Sequence, residues 1–161
     1  MTIDTSTETA NRLARMPTCL VVRPGAEFVG KQALFYAPGI SAESVDAQGI
    51  HLQVVTVPPG GRAKAHKHDG HETAIYILSG ESSMWYGERL EEQLSARAGD
   101  FIYIPAGMPH LPHNLSATES CVAIIARTDP NDIPASRCCR TCRVHFLPRM
   151  IPQALWDGYR L

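Results

Sequence analysis

His66-Lys67-His68-Asp69-Gly70-His71-Glu72 is the stretch on which the reading of this chain turns, and Pro105-Ala106-Gly107-Met108-Pro109-His110 answers it about forty residues later. His66 and His68 are two apart, so on an extended strand, where side chains alternate, both imidazoles face the same way. That is a chelating arrangement, and the two stretches read together as one metal site divided between two strands. Imidazole and carboxylate together suit Fe, Mn, Ni, Cu or Zn, and such groups converging in an apolar interior require a cation to balance them.

The spacing carries a family resemblance. The first block runs Gly60, five residues, His66, one residue, His68, three residues, Glu72, then an apolar run to Gly80. The second runs Gly99, five residues, Pro105, one residue, Gly107, two residues, His110, three residues, Asn114. These blocks resemble the two signature motifs of the cupin superfamily, the second without deviation. The resemblance covers roughly residues 45 to 128. It implies an all-β jelly-roll barrel (a double-stranded β-helix) with little helix, holding one divalent transition metal through the residues that match the motifs: His66, His68, Glu72 and His110.

Motif one departs from the family at its acidic position. Counting forward from His68 reaches Glu72, whereas counting back from Gly80 reaches Thr73. Glu72 is favoured as the ligand, because threonine is a poor ligand for these metals and a one-residue β-bulge can restore strand parity. The alternative is a three-histidine site with the glutamate standing behind it. Adjacent strand residues face opposite ways, so His71 and Glu72 should not both point inward, and His71 reads as a solvated residue at the strand entry.

A chain of 161 residues with 44% hydrophobic content suffices for one compact domain. The net charge of −1 offers neither nucleic acid nor an anionic membrane a reason to bind. Met1 to Ala10 is polar and threonine-rich, unlike a secretory signal, and no stretch approaches membrane-spanning length; a cytoplasmic protein is the expectation. The division expected is a polar arm (1–17, helical around 8–15), a barrel (18–128, with motif one at 60–80 and motif two at 99–114) and an extension (129–161) rich in Cys, Arg and Pro. Within that extension Cys139, Cys142 and His145 offer a three-residue ligand spacing without an evident fourth member, beside Cys138. Cys19 and Cys121 read as small buried hydrophobes.

Short strands are expected at Thr18–Val22, stopped by Pro24-Gly25, and at Ala33–Tyr36, stopped by Pro38-Gly39. His51–Val57 is strongly strand-like, with His51 and Gln53 alternating on its surface face. Thr73–Leu78 reads as an apolar strand buried on both sides. Ser82–Tyr86, Glu91–Ala98, Phe101–Ile104 and Glu119–Arg127 follow, while Pro112 suggests that His110 and His113 lie on a loop. Many short strands with regular turn signals argue for an all-β sandwich or barrel independently of the motifs.

Met84, Trp85, Tyr86, Phe101, Tyr103 and Met108 border the expected cavity, and alternation turns half of them outward. Arg62 or Lys64 could anchor a carboxylate at its mouth, although solvated rim charge is the simpler reading. The function expected from these features is metal-dependent chemistry on a small organic molecule, foremost an Fe(II) dioxygenase in which substrate chelates the metal. The alternatives are a metal-assisted isomerase, decarboxylase or lyase, in which Glu72 or the nearby Tyr103 moves a proton, and a non-catalytic binding module. Exposed sheet edges need covering, which makes a homodimer the expected assembly.

Overall fold

Residues with β-branched and aromatic side chains, cut into short runs by Gly, Pro and Asp turns, build this chain almost entirely from strands. The computed structural model describes residues 18–30, 32 and 34–131. Within them lie β1 (Phe28–Val29), β2 (Phe35–Ile40), β3 (His51–Val57), β4 (Thr73–Ser79), β5 (Glu81–Tyr86), β6 (Glu92–Arg97), β7 (Phe101–Ile104), β8 (His110–His113) and β9 (Cys121–Arg127), and a short helix, α1 (Ala42–Val45). The arm at 1–17 and the cysteine cluster of the extension lie outside the described residues. No helix among the described residues is long and apolar enough to cross a membrane.

The strands pair antiparallel into two sheets, ordered β1-β2-β3-β9-β4-β7 and β6-β5-β8. This is an all-β jelly-roll fold. Alternation decides which side chains meet between the sheets. Val55 and Val57 of β3, Ile77 of β4, and Cys121, Ala123 and Ile125 of β9 pack in one core cluster with Met84 of β5 and Ala96 of β6. Burying each large apolar side chain stabilises the fold by about 1.5–3 kcal/mol.

Several expectations are corrected here. Residues 18–22 form no strand; Leu20 and Val21 are exposed, as is Cys19. Pro38-Gly39 does not stop β2, because the register with β3 shifts between Pro38 and Ile40 and the bulge absorbs the proline. β4 is buried on one face only, with Ala74 and Leu78 exposed, as befits an antiparallel rather than a parallel sheet. His110–His113 is a strand rather than a loop, paired with β5 from Tyr86 to Ser83. Pro112 is tolerated there, and its carbonyl accepts the Ala63 amide at 2.9 Å.

Two motif residues hold the turns. Asn114 is buried, its amide nitrogen donating to the carbonyls of Val57 (3.1 Å), Pro58 (3.2 Å) and Glu119 (2.7 Å), while its oxygen accepts the Ser116 amide at 2.9 Å. It thereby fastens the β8–β9 connection to the end of β3. Gly80, between β4 and β5, sits at φ +76°, and a Cβ there would come within 2.5 Å of the Ser120 carbonyl oxygen. Since the obstacle is backbone, the Gly80→Ala variant should lose about 3 kcal/mol of stability, from positive φ and overlap together, measured by urea unfolding. Unchanged stability would show that the β4–β5 turn relaxes freely.

Candidate metal centre

The chain leaving β3 crosses to the second sheet and runs beside β8. Asn114 donates its backbone amide to the Gly61 carbonyl at 2.8 Å, and His66 and His110 exchange backbone hydrogen bonds at 3.0 and 2.8 Å. A reciprocally bonded antiparallel pair projects both side chains to the same side. The two imidazoles accordingly stand with ring centroids 4.3 Å apart. His68, two residues on, places its ring 5.0 Å from His66 and 5.3 Å from His110. Its carbonyl is held at 2.8 Å by the amide of Gly107, whose φ of +76° suits glycine, so motif two clamps motif one.

The rings are oriented from behind. His66 Nδ1 donates to the Lys64 carbonyl at 2.7 Å and His110 Nδ1 to the Met108 carbonyl at 2.9 Å. A carbonyl can only accept, so Nδ1 carries the proton and Nε2 keeps its lone pair for a ligand. One ring nitrogen from each of His66, His68 and His110 lies within 4.8 Å of the others, and His68 Nε2 is buried with no hydrogen-bond partner. Burial lowers the pKa of all three, and the charge of Arg127 lowers it further. His110 falls to about 3 and His68 to about 2. The neutral imidazoles present the donor set that a divalent transition metal takes.

Glu72 lies outside this cluster. It is exposed, and its carboxylate accepts the Tyr103 hydroxyl at 2.5 Å. The bulge needed to turn it inward is absent from its end of β4: the register with β9 runs unbroken from Thr73 and shifts only between Ile77 and Ser79. Thr73 therefore takes the inward position, 2% exposed. Tyr103 itself is 61% exposed on the outer face of β7, so neither residue assigned a catalytic role reaches the interior.

His71 is not solvated as expected. Its ring lies 5.0 Å from that of His68, and its side chain is only 11% exposed, 3.8 Å from the Asp129 carboxylate. His113, three residues after His110, points to the opposite face and stacks on Trp85 with centroids 6.4 Å apart. Among the aromatic and Met candidates, Met84 faces the interior, Met108 packs partly against the core, and Phe101 and Tyr103 face outward. Lys64 is exposed, and Arg62, whose backbone pairs with that of His113, does not line the cavity.

A cavity of about 50 Å³ opens between the sheets, walled mostly by apolar side chains but bordered also by His66, His110, Thr73 and Arg127. Arg127 is 8% exposed, and burial pulls its pKa down to about 10, which leaves it charged at neutral pH. His51 and Gln53, read from the sequence as surface, are 1% and 2% exposed. Because Leu52 and Val54 are as apolar as Val55 and Val57, the phase of β3 is ambiguous by itself. The clue lay in β9, where Arg127 continues the inward phase of Cys121, Ala123 and Ile125.

A family profile described as "Cupin domain" matches residues 53–126, which span both blocks of the site. The rice (Oryza sativa subsp. japonica) germin-like protein 3-1 is 28% identical over 125 residues, 76% of this chain and 55% of its own length. The chain spans about half the length of the curated relatives it matches. The crystal structure of a predicted oxalate decarboxylase from Thermotoga maritima aligns with a TM-score of 0.57 at 22% identity, covering 68% of this chain and 98% of that one. KdgF from Halomonas sp. aligns with the same TM-score at 15% identity, covering 71% and 98%. With two spaced histidine blocks, a jelly-roll of two antiparallel sheets and the cupin-domain match across both, the chain belongs to the cupin superfamily.

Proposed function

We propose that this cupin is a metal-dependent enzyme of the Fe(II) dioxygenase type, acting on a small organic molecule, with the metal held by His66, His68 and His110. The observation that carries the reading is a set of three neutral imidazoles converging with no carboxylate among them. A divalent iron bound there would chelate substrate and activate dioxygen, since about half the positions of an octahedral ion stay open. The chain's own residues do the rest. The carbonyls of Lys64 and Met108 aim the ligands, Thr73 lines the cavity beside them, and the apolar wall excludes water.

The decarboxylase, isomerase and lyase readings need a group that moves a proton at the substrate. Glu72 and Tyr103, the groups assigned that role, bond to each other on the outside, which favours oxidation over proton transfer. Elemental analysis of protein purified without added metal should find near-stoichiometric iron, and small hydroxy acids and diketones should drive oxygen uptake. Zinc or manganese with no oxygen consumption would overturn the reading. Metal occupancy should drop about tenfold or more in His110→Ala and stay unchanged in Glu72→Gln. Equal losses in both would restore Glu72 as a ligand.

The lowered histidine pKa values also set a pH dependence for the metal-free protein. Below the ordinary imidazole value of 6.5 the unfolded chain takes up protons that folded His110 refuses until about pH 3. More protons on the unfolded state means that stability falls as pH falls, across the window from about 6.5 down to 3. Thermal melts from pH 8 downward should decline through that window, and the slope should be shallower in His110→Gln. A flat profile would mean that the imidazoles protonate in place.

We also propose a homodimer, supported by the outer strand β7, whose Phe101 is 80% exposed and packs beside Tyr76 with the ring centroids 4.7 Å apart. Sedimentation velocity should give a dimer that Phe101→Glu converts to monomer; a monomeric wild type would reject it.

A further inference from the structure

We propose that the cavity between the sheets is a binding site for dioxygen, and that the organic substrate reaches the metal ligands from the other, solvent-facing side. This rests on the functional reading above and adds to it the place and route of one reactant.

The cavity is a departure from close packing. Protein interiors leave few voids larger than a water molecule, because the lining of a void forfeits dispersion contacts. Here the space persists because small residues stand where larger ones would close it. Ala63, Cys121 and Ala123 line the cavity, and none of them is more than 4% exposed. In the strand register Cys121 lies beside Val57, and Ala123 lies between Val55 and Ile77, so the two small side chains of β9 sit among larger neighbours on one inner face. Met84 of the second sheet borders the same space.

Size and polarity select the occupant. At about 50 Å³ the cavity holds a few times the ~10–15 Å³ that one water needs, but falls well short of the ~150 Å³ of an apolar cavity that takes benzene. It therefore admits a molecule of a few heavy atoms and no aromatic or extended substrate. Most of the polar groups on its border are already engaged. His66 and His110 direct Nδ1 to the Lys64 and Met108 carbonyls and keep Nε2 for the metal, and Asp129 acts on the charge of Arg127, so the cavity need not supply a counter-ion. The hydroxyls that border it are dispersed: Tyr36 and Thr73 stand on strands separated by β3 and β9, and Ser82 belongs to the second sheet. A bound water takes about 2–4 polar partners together. A small apolar gas requires none, and its transfer from water into such a lining is favourable. The Thr73 hydroxyl, buried without a partner, leaves one donor open to the guest. The ligands then separate the two reactants. His66 and His110 border the cavity and His68 does not, while His66 and His68 are half-buried and reach the surface. The candidate centre stands between cavity and solvent, and the organic molecule, too large for the cavity, meets it from solvent.

The probes are xenon on metal-free full-length protein and, on iron-loaded protein without air, nitric oxide as a surrogate for dioxygen and azide as a small anion arriving from solvent. Under xenon pressure the methyl resonances of Ile77 and Met84 should shift in wild type and stay fixed in Ala123→Leu, whose added carbons fill the space. In stopped flow the same variant should bind nitric oxide slower by about fivefold or more, with iron content and azide affinity unchanged, whereas general distortion of the centre would move all three. Wild-type resonances indifferent to xenon overturn the cavity site, and an unchanged nitric oxide rate in a variant that excludes xenon overturns the route. Equal losses of nitric oxide and azide binding overturn the two-sided arrangement. If Ala123→Leu lacks a cooperative melt, Ala123→Val combined with Val57→Ile narrows the same wall with less added bulk, and the same outcomes decide. Xenon binding in protein that takes up no iron would refute the functional reading and leave an apolar gas site standing.

Discussion

Two backbone hydrogen bonds between His66 and His110 hold the candidate centre together. They join a segment that follows the first sheet to a strand of the second, and the reciprocal geometry forces the two imidazoles to the same side. His68 then follows from strand alternation, and the Gly107 amide, reaching back to the His68 carbonyl, ties down the third member. The side chains need no mutual contact to be brought together. Their convergence is imposed by backbone pairing, and carbonyls behind the rings set which nitrogen is offered. Such a centre is preorganised, because ordering its ligands belongs to folding rather than to binding.

The same fold separates the interior into two environments. Toward one end of the inner face lie Val57, Cys121, Ala123 and Ile77, which supply apolar burial; toward the other lie His51, Gln53, Thr73 and Arg127. Burial keeps the imidazoles neutral, so Arg127 contributes the positive charge to the cavity wall. Desolvating that guanidinium works against stability, and the apolar half of the core offsets the cost.

The outer surface shows how far one residue of parity can move a role. Glu72 and Thr73 are neighbours, and inverting the phase of β4 at its start would have exchanged them. The unbroken pairing of Thr73 through Ile77 with β9 settles the phase, and Glu72 is left to bond Tyr103 outside. The hydroxyl of Tyr103 is held there by the carboxylate, whose hydrogen bond raises the tyrosine pKa.

What the sequence determined by itself was local and periodic. The His66/His68 pair, the spacing to His110, the glycines at Gly80, Gly99 and Gly107, and the strand runs of β3, β5, β7 and β9 are all legible because spacing and turn chemistry act over a few residues. From these the all-β fold and the three clustered histidines follow. Tertiary structure decided the phase of each strand: that His51 and Gln53 face inward, that Thr73 rather than Glu72 does, that Phe101 and Tyr103 face out, and that Arg127 borders the same cavity as His66 and His110. The physical reason is that a strand apolar on both faces carries no internal record of which face is buried. That choice is made by the neighbouring strand through hydrogen-bond register, and a shift of one residue reverses every side chain at once.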